Sequence, residues 1–365
     1  MIKQITIIGL GLIGGSLGLA LCKSGKIPQV VGQDVDAFAI KTAAAQGAVH
    51  WSTTSLSLAV KNSDIIVLAV PVGRMKNIVQ EIIPYLKEGC IITDVGSTKE
   101  KLVEEISQIL PHHIYFVGAH PMAGSERGGI LGADPYLFEN AIFCITPREN
   151  TQKIAVERVT ALAGFVGAKV KLISPSEHDQ MVAGVSHLPY LVAVSLVNSV
   201  CQLSQDYPST LTLAAGGFRD TTRIAGGDPL MWKDISLSNQ QAIVRMIDLF
   251  SANMEIIKRK IMDTCPEDLM QIFQEARINR EQIPFRYKGV LPEINELLVS
   301  VPDKTGMLAL ITGSLAEQGI NVSEIEVLPV RENHEGAIRL GFQRKYILEK
   351  AEEILKSQGL KVQRR

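Results

Sequence analysis

A glycine-rich loop directly after the first apolar strand is the feature that most constrains the fold of this chain. The run ITIIG is followed by Gly9, Gly11 and Gly14 in the pattern G-x-G-x-x-G, and the helix-like stretch SLGLALCKSG comes next. In this arrangement the first glycine permits a tight turn, the second lets a pyrophosphate approach the backbone, and the third lets the helix pack on the strand. The loop therefore predicts a dinucleotide-binding βαβ unit.

An acidic residue at the end of the second strand supports this prediction. The run QVVGQD ends at Asp34, about where the ribose-binding carboxylate of such units lies. A carboxylate accepts a hydrogen bond from the ribose 2′-hydroxyl and repels a 2′-phosphate, so the predicted cofactor is NAD rather than NADP. Leu12 and Ile13 in the loop, Val70 at the end of the apolar run IIVLAV, and Ser97 further along are assigned to the same cofactor site.

Three regions with different patterns follow one another along the 365 residues. Residues 1–172 mostly alternate short β-rich runs with helix-like stretches, which predicts a largely parallel, doubly wound α/β domain of Rossmann type that binds NAD. Residues 173–283 contain long amphipathic stretches and predict an all-α domain. Residues 284–294, which include two prolines and a glycine, predict a linker. Residues 295–365 have the order βαββαβ, an α+β, ferredoxin-like arrangement.

Composition and charge argue against several classes of protein. Lysine plus arginine number 37 and aspartate plus glutamate 38, so no strong overall field attracts nucleic acid or an anionic membrane. No run approaches the roughly 18 uninterrupted apolar residues of a membrane helix. The five scattered cysteines fit a reducing compartment. We therefore expect a cytoplasmic protein that binds a small molecule and requires neither a membrane, nor nucleic acid, nor a metal.

His120 is the candidate base for hydride-transfer chemistry, since histidine titrates near neutral pH. It ends the run YFVGAH and so lies at the carboxyl edge of the predicted sheet, where open α/β folds bind ligands. A strand-end histidine held in a loop is the structural alternative. Ser97 follows the run CIITDV at the same edge, in a position to orient His120 or to contact the nicotinamide.

Two further histidines lie in the helical region. From its pattern alone, His187 in AGVSHLPYLVAV fits a buried core residue better than a ligand. Nine residues are about two and a half turns of a regular helix, so His178 and His187 are expected on opposite faces and are not both assigned to one site. Pro189 loosens this constraint.

The stretch AAGGFRDTTRIAGGDPLMW predicts a binding segment, because its glycines, arginines and aspartates are unlike a plain helix. Arg219 and Arg223 are four residues apart, so on a helix they share a face suited to the capture of a carboxylate. Pairing with Asp220 or Asp228 at the surface is the structural alternative.

Five motifs, in this order, resemble those of the prephenate dehydrogenase family of tyrosine biosynthesis. They are GLGLIGGSLGLAL, DVGSTK, GAHPMAGSERGG, EHDQMVAGVSHLPY and GGFRDTTRIAGGDPLMW. The resemblance covers nearly the whole chain and implies NAD-dependent oxidative decarboxylation of prephenate to 4-hydroxyphenylpyruvate. It also implies a homodimer formed by the helical domain.

The same resemblance implies roles for single residues. His120 is implied to accept or polarise the hydroxyl proton, with Ser97 as its hydrogen-bonding partner, and Arg223 to bind a carboxylate. Trp232 is implied to contribute to the site of the neighbouring subunit. The residues implied to bind substrate are His187, Arg223, Ser125 and Trp232, and those implied to form a gating ionic network are Glu126, Asp179, Arg219 and Asp220.

The run VPDKTGMLALITGSLAEQGINV resembles the start of an ACT domain, a regulatory module that binds amino acids. It implies feedback by tyrosine or another amino acid, with Asp303, Gly306 and Asn321 in the effector-binding loops. A domain that only helps assembly is the alternative.

Three other functions remain open. Arogenate, which carries an amino group in place of the keto group of prephenate, is the closest alternative substrate. A 3-hydroxyacid dehydrogenase would use a lysine on a helix, and no comparably placed lysine stands out in the helical domain. The third is a non-enzymatic regulator that senses NAD, a function that does not explain the segments HPMAGSERGG and GGFRDTTRIAGG.

Overall fold

The chain forms two compact units, Met1–Gly289 and Val290–Arg365. The structure is a computed structural model, and it describes residues 2–124, 128–283, 295–302, 304–328 and 336–364. The linker predicted at residues 284–294 lies outside the described residues.

The first unit contains a mostly parallel eight-stranded sheet, which confirms the predicted Rossmann-type domain. Its strands are β1 (Gln4–Ile8), β2 (Gln29–Gln33), β3 (Trp51–Thr53), β4 (Ile65–Leu68), β5 (Ile91–Asp94), β6 (Tyr115–Pro121), β7 (Ile142–Thr146) and β8 (Lys169–Leu172). Their spatial order is β3-β2-β1-β4-β5-β6-β7-β8, and the first six strands have the 3-2-1-4-5-6 order of dinucleotide-binding folds. Among the described strands of this sheet, the pairing of β6 with β7 alone is antiparallel.

Helices cover both faces of this sheet. They are α1 (Leu12–Ser24), α2 (Ala37–Ala45), α3 (Leu56–Val60), α4 (Val72–Ile82), α5 (Glu100–Ile109) and α6 (Lys153–Phe165). Ile65 and Val67 pack into one apolar cluster and Ile66 and Leu68 into another, because successive side chains of a strand point to opposite faces. Such double burial explains the unbroken apolar run of β4 in the sequence.

The helical part of the first unit comes next, as predicted. Its helices are α7 (Pro175–Val182), α8 (Leu188–Asp206), α9 (Gly216–Thr222), α10 (Pro229–Ser238), α11 (Gln240–Met262) and α12 (Pro266–Glu281). A capping box between Ser174 and Glu177 begins α7. A π-helical turn, Ala183–His187, joins α7 to α8 without a break.

The continuous helical run Pro175–Asp206 is longer than the apolar stretches of the sequence indicate. By length and composition alone the run could span a membrane, since an 18-residue window in it has a mean hydropathy of 1.5, although no uninterrupted apolar stretch of that length occurs. Gly184 and Pro189 divide the run in the sequence, whereas in the structure the π-helical turn contains Gly184 and leads directly into α8, which contains Pro189. Three polar side chains in its first part, His178, Asp179 and His187, are at most 1% exposed, so that part packs inside the first unit.

The second unit has the predicted order βαββαβ. Its elements are β9 (Asn295–Val301), α13 (Met307–Glu317), β10 (Glu324–Leu328), β11 (Gly336–Phe342), α14 (Lys345–Ser357) and β12 (Lys361–Arg364). The four strands form an antiparallel sheet in the order β10-β11-β9-β12. Leu297, Val299, Ile311, Leu340 and Leu355 belong to one core between the sheet and the two helices.

Candidate active site

The glycine loop between β1 and α1 has the geometry of a phosphate-binding turn. Gly9 has a φ of +97°, and its N–H donates to the carbonyl oxygen of Gln33 at 2.8 Å. A Cβ on Gly14 would lie 1.9 Å from the carbonyl oxygen of Gly9, so only glycine fits there. A Cβ on Gly11 would meet no protein atom within 4 Å, which leaves that backbone open to a ligand. Each glycine thus occupies the environment that the sequence pattern predicts.

Asp34 lies beside this loop at the end of β2. One carboxylate oxygen, Oδ2, accepts a hydrogen bond from the backbone N–H of Leu10 at 2.7 Å, and Oδ1 accepts one from Asp36 at 2.9 Å. These contacts hold the carboxylate against the glycine loop. An acidic group in this position suits a ribose hydroxyl, because hydroxyls donate to carboxylates.

A cavity of about 480 Å³ opens above the loop, between the sheet and the helical part. Gly227, Asp228 and Met231 line it from the segment that enters α10. Its volume is in the range of small-molecule sites. The predicted cofactor residues that line it are Gly11, Leu12, Ile13, Val70 and Ser97.

His120, the predicted base, lies at the same edge of the sheet as the cavity. It belongs to β6, next to β5, and β5 leads into the loop with Ser97 that lines the cavity. The side chain is half-buried, and its Nδ1 lies 2.8 Å from Nε2 of His178. Burial holds the pKa of His120 well below its usual range, and the nearby charges of His178, Lys99 and His187 lower it further. His120 is therefore neutral at physiological pH, as a general base must be.

The partner of His120 differs from the prediction. Among the described residues, His178 pairs with its Nδ1, and Ser97 makes no hydrogen bond to it. The reason is that Asp179 accepts from the backbone N–H groups of Lys99 and Glu100 at 2.8 and 2.9 Å, which fastens α7 onto the start of α5. This contact places the neighbouring His178 against His120.

The π-helical turn overturns the expected separation of the two helical histidines. A π turn contains an additional residue, which rotates the residues after it by about 100° relative to a regular helix. His178 and His187 consequently belong to one buried polar cluster, linked through Asn239. Asn239 Nδ2 donates to the backbone oxygen of Asp179 at 2.8 Å and lies 3.3 Å from His187 Nδ1. Nothing in the sequence pattern indicates such a turn.

His187 carries a buried nitrogen with no protein partner in the described chain. The side chain is 1% exposed, and its Nε2 makes no hydrogen bond to any described residue. Burial lowers the pKa of His187 to about 4, a shift that Asp179 opposes and His178 assists. A buried polar atom without a partner is costly, and a ligand that bonds to it would remove that cost.

Trp232 stands beside His187 in the same chain. Its ring lies 6.1 Å from that of His187, edge to face, and it stacks on Tyr190 at 3.6 Å. These contacts lie within one chain, and the expected contribution of Trp232 to the site of a neighbouring subunit stays a prediction. Gly227 lies against the indole nitrogen, so only a small residue fits at this corner of the cavity.

The remaining predicted residues have mixed outcomes. Arg223 is exposed at the start of the 3₁₀ turn Arg223–Gly226, and the two glycines after it line the cavity. Of the residues implied in the gating ionic network, Asp179 is buried against His178 and α5, and Arg219 and Asp220 are exposed. Gly306 lines a cavity in the second unit, whereas Asn321 is exposed. Residues that lie outside the described part of the chain are Ser125, Glu126 and Asp303.

A buried ion pair beneath the site was not predicted. Lys99 Nζ pairs with Asp94, and both side chains are fully buried. Asp94 also accepts from the backbone N–H groups of Gly96 and Ala119 at 2.8 and 3.0 Å. The pair therefore joins the loop after β5 to the strand that carries His120. The run DVGSTK contains both residues, but the sequence does not show that the lysine turns inward.

The burial of His187 predicts a loss of stability in acid. Its pKa is about 4 when folded and about 6.5 when unfolded, so its contribution is fully present above pH 6.5 and is lost as the pH falls toward 4. The loss is on the order of 3 kcal/mol. Chemical unfolding at pH 7 and pH 4.5 should show a smaller acid loss for His187→Gln than for the wild type. The control is His112→Gln, which changes an exposed histidine; equal acid losses in all three proteins would contradict this account.

The Rossmann-type sheet, the glycine loop and the histidine at the sheet edge define a dehydrogenase of the dinucleotide-binding class. Two family models match the chain: "Prephenate dehydrogenase, nucleotide-binding domain" over residues 17–172, and "Prephenate dehydrogenase, dimerization domain" over residues 174–275. The prephenate dehydrogenase of Bacillus subtilis is 36% identical over 98% of this chain and 97% of its own. The chain belongs to the prephenate dehydrogenase family.

Two solved structures share the fold of the first unit. Prephenate dehydrogenase from Aquifex aeolicus, in complex with hydroxyphenyl propionate and NAD+, is 32% identical with a TM-score of 0.74, covering 78% of this chain and 99% of its own. Synechocystis arogenate dehydrogenase is 29% identical with a TM-score of 0.66, covering 77% and 100%. The covered share of this chain is close to that of its first unit.

Proposed function

We propose that the chain catalyses the NAD-dependent oxidative decarboxylation of prephenate to 4-hydroxyphenylpyruvate. The observation that carries this proposal is a neutral His120 at the same edge of the sheet as a cavity of about 480 Å³, in a chain similar to prephenate dehydrogenases over nearly its full length. The enzyme is an oxidoreductase by family. We also propose a cytoplasmic location, which the five free cysteines favour.

The residues around the glycine loop fit NAD. The open backbone at Gly11 accommodates a pyrophosphate, and the N-terminus of α1 attracts its charge. Asp34 accepts from a ribose hydroxyl and disfavours a 2′-phosphate. When bound, NAD supplies the hydride acceptor.

Three side chains are proposed to act on prephenate. His120 takes the hydroxyl proton through Nε2, since its Nδ1 is engaged by His178. His187 donates or accepts a hydrogen bond through its unpartnered Nε2. Arg223 is proposed to bind a carboxylate of this dianion, because a guanidinium binds carboxylates with two parallel hydrogen bonds. Loss of the hydride and the proton, with the ring carboxylate leaving as CO₂, makes the ring aromatic.

Arogenate is the second candidate substrate, because an arogenate dehydrogenase shares the fold. Initial rates of reduced-cofactor formation should be measured for prephenate and arogenate, each with NAD and NADP. We expect the largest kcat/KM for prephenate with NAD. A larger value for arogenate would move the assignment to that substrate, and no turnover in any of the four pairs would reject both.

We also propose that the helical part forms a homodimer. Residues 174–275 match the dimerization domain of the family, and many large apolar side chains there are exposed in the single chain. Sedimentation analysis that found only monomer would contradict this. The exposed apolar residues include Leu203, Val244, Ile247, Leu249, Phe250, Met254, Ile256, Met270 and Phe273.

An amino-acid effector is proposed for the second unit, as expected of an ACT-like module. A cavity of about 290 Å³ lies between the end of β9 and the start of α13, and Lys304, Thr305 and Gly306 line it. The lysine and the helix N-terminus suit a carboxylate. Val327 and Ile338 supply an apolar wall for a side chain.

A variant that ends at Gly289 tests this effector site. We expect it to turn over prephenate within about threefold of the full chain, because the first unit is compact and the Aquifex enzyme has a similar extent. Inhibition by tyrosine should disappear if the second unit binds it. The test is to measure rates without tyrosine and with about 1 to 1,000 µM tyrosine, a range of about three decades. It shows whether inhibition by tyrosine requires the second unit. Unchanged inhibition would place the effector in the catalytic site instead.

A further inference from the structure

Three side chains form a hydrogen-bonded series that ends at the proposed base. Asp179 Oδ1 lies 2.8 Å from His178 Nδ1, and His178 Nε2 lies 2.8 Å from His120 Nδ1. His178 is fully buried and Asp179 is 1% exposed, so water does not compete for these bonds. Only His120 is partly exposed. The series therefore runs from the protein core to the site.

The buried carboxylate of Asp179 sets which atom donates and which accepts in each hydrogen bond of this series. The carboxylate of Asp179 accepts from the backbone N–H groups of Lys99 and Glu100, at the start of the ten-residue helix α5, so both of its oxygens face hydrogen-bond donors. An ionised carboxylate only accepts, so Nδ1 of His178 carries a hydrogen and its Nε2 is an acceptor. The Nδ1 of His120 must then donate, which leaves its Nε2 with a lone pair.

We propose that His178 and Asp179 are positioning residues that hold His120 in the tautomer with a basic Nε2 and take up its second proton during turnover. This inference rests on the proposed function, in which His120 removes the substrate hydroxyl proton. The substrate O–H bond breaks as that proton binds Nε2 of His120. The Nδ1 proton of His120 moves to Nε2 of His178, and the hydride acceptor already required takes up both electrons.

The charges around His120 and His178 favour proton transfer from His120 to His178. A proton kept on His120 would face the positive charge of Lys99 and the ring of His187, both of which oppose protonation there. A proton moved to His178 lies in direct contact with the negative Asp179. The series thus moves the positive charge away from the reacting atoms to His178, where Asp179 stabilises the imidazolium as the aspartate of a serine protease stabilises that of its histidine.

The tautomer of His120 can be measured without activity. Ring ¹⁵N shifts in the full-length wild type, assigned by comparison with His120→Asn, should show a hydrogen on Nδ1 of His120 and none on Nε2. In His178→Phe, which removes the acceptor but leaves Asp179 at α5, the hydrogen should redistribute between the two nitrogens. An Nε2-protonated His120 in the wild type, or the same tautomer in both proteins, would overturn the proposal.

Kinetics provide the second readout. Asp179→Asn and His178→Phe should each lower kcat for prephenate about 10²–10⁴-fold, the range for losing a positioned base or its aspartate partner. The Kd for NAD should stay within about threefold, because neither residue lines the cofactor cavity. His178→Gln, which can still accept through its amide oxygen, should fall between these variants and the wild type. Glu177→Gln, an exposed neighbour on α7, is the matched control and should be normal.

The outcomes separate this inference from the proposed function. If the wild type fails to turn over prephenate, the proposed function is wrong, and the tautomer measurement still decides the series. If the wild type is active while His178→Phe retains full kcat, His178 has no part in positioning the base. Should Asp179→Asn fail to fold because α5 loses its cap, the His178 variants decide the question alone.

Discussion

His120→Asn is expected to lower kcat for prephenate about 10²–10⁴-fold, because a positioned general base contributes that much to rate. The asparagine amide keeps an N–H donor toward His178 but offers no nitrogen lone pair to the substrate hydroxyl. NAD binding should be unchanged, since His120 lies outside the cavity lined by the glycine loop. Steady-state rates and a fluorescence titration with NAD measure the two quantities separately.

The matched control for this variant is His112→Asn, which changes an exposed histidine in the turn before β6. It should keep wild-type kcat and wild-type NAD affinity. Normal turnover by His120→Asn would remove His120 from the role of base. A parallel loss of NAD affinity would show that the residue supports the cofactor site instead.

Alanine at Gly11 and alanine at Gly14 are expected to have different effects. Gly11→Ala places a methyl group in open space on the ligand side, so unfolding free energy should not change while the Kd for NAD rises at least about tenfold. Gly14→Ala drives a methyl group against the carbonyl oxygen of Gly9, which should cost about 1–3 kcal/mol of stability as well as NAD affinity. Chemical unfolding and NAD titration on each variant test both parts.

Gly25→Ala is the reference for backbone strain in this comparison. Its φ is +63° and a Cβ there meets no atom within 4 Å, so it should cost about 1 kcal/mol of stability and leave NAD affinity alone. If Gly11→Ala bound NAD like the wild type, the pyrophosphate could not lie where the loop predicts. If Gly14→Ala were fully stable, the close approach of α1 to β1 would be relaxed in solution.

The fold was largely predictable from local patterns. Apolar runs such as that of β4, the glycine loop and the long amphipathic stretches each depend on residues near one another in sequence, so their periods predict the sheet and the helices. The βαββαβ order of the second unit was predictable for the same reason. The position of His120 at the end of a β-rich run also predicted that it lies at the carboxyl edge of the sheet, because parallel strands end together at that edge.

The cluster around His120 could not be predicted, since it depends on contacts between distant residues. The π-helical turn shifts His187 relative to His178 by one residue, and a regular 3.6-residue period places them on opposite faces. The hydrogen bonds between Asp179 and the start of α5 join positions about 80 residues apart in the sequence. Only the packing of α7 on α5 reveals that His178, rather than Ser97, contacts His120.

Transfer of the hydrogen from the hydroxyl-bearing ring carbon is the most direct test of the central claim. Prephenate labelled with deuterium at that carbon should yield reduced cofactor carrying one deuterium, with equimolar CO₂ and 4-hydroxyphenylpyruvate. The same stoichiometry should hold, at a much lower rate, for His120→Asn. Unlabelled reduced cofactor, or an oxidised product that retains its ring carboxylate, would contradict the proposed reaction.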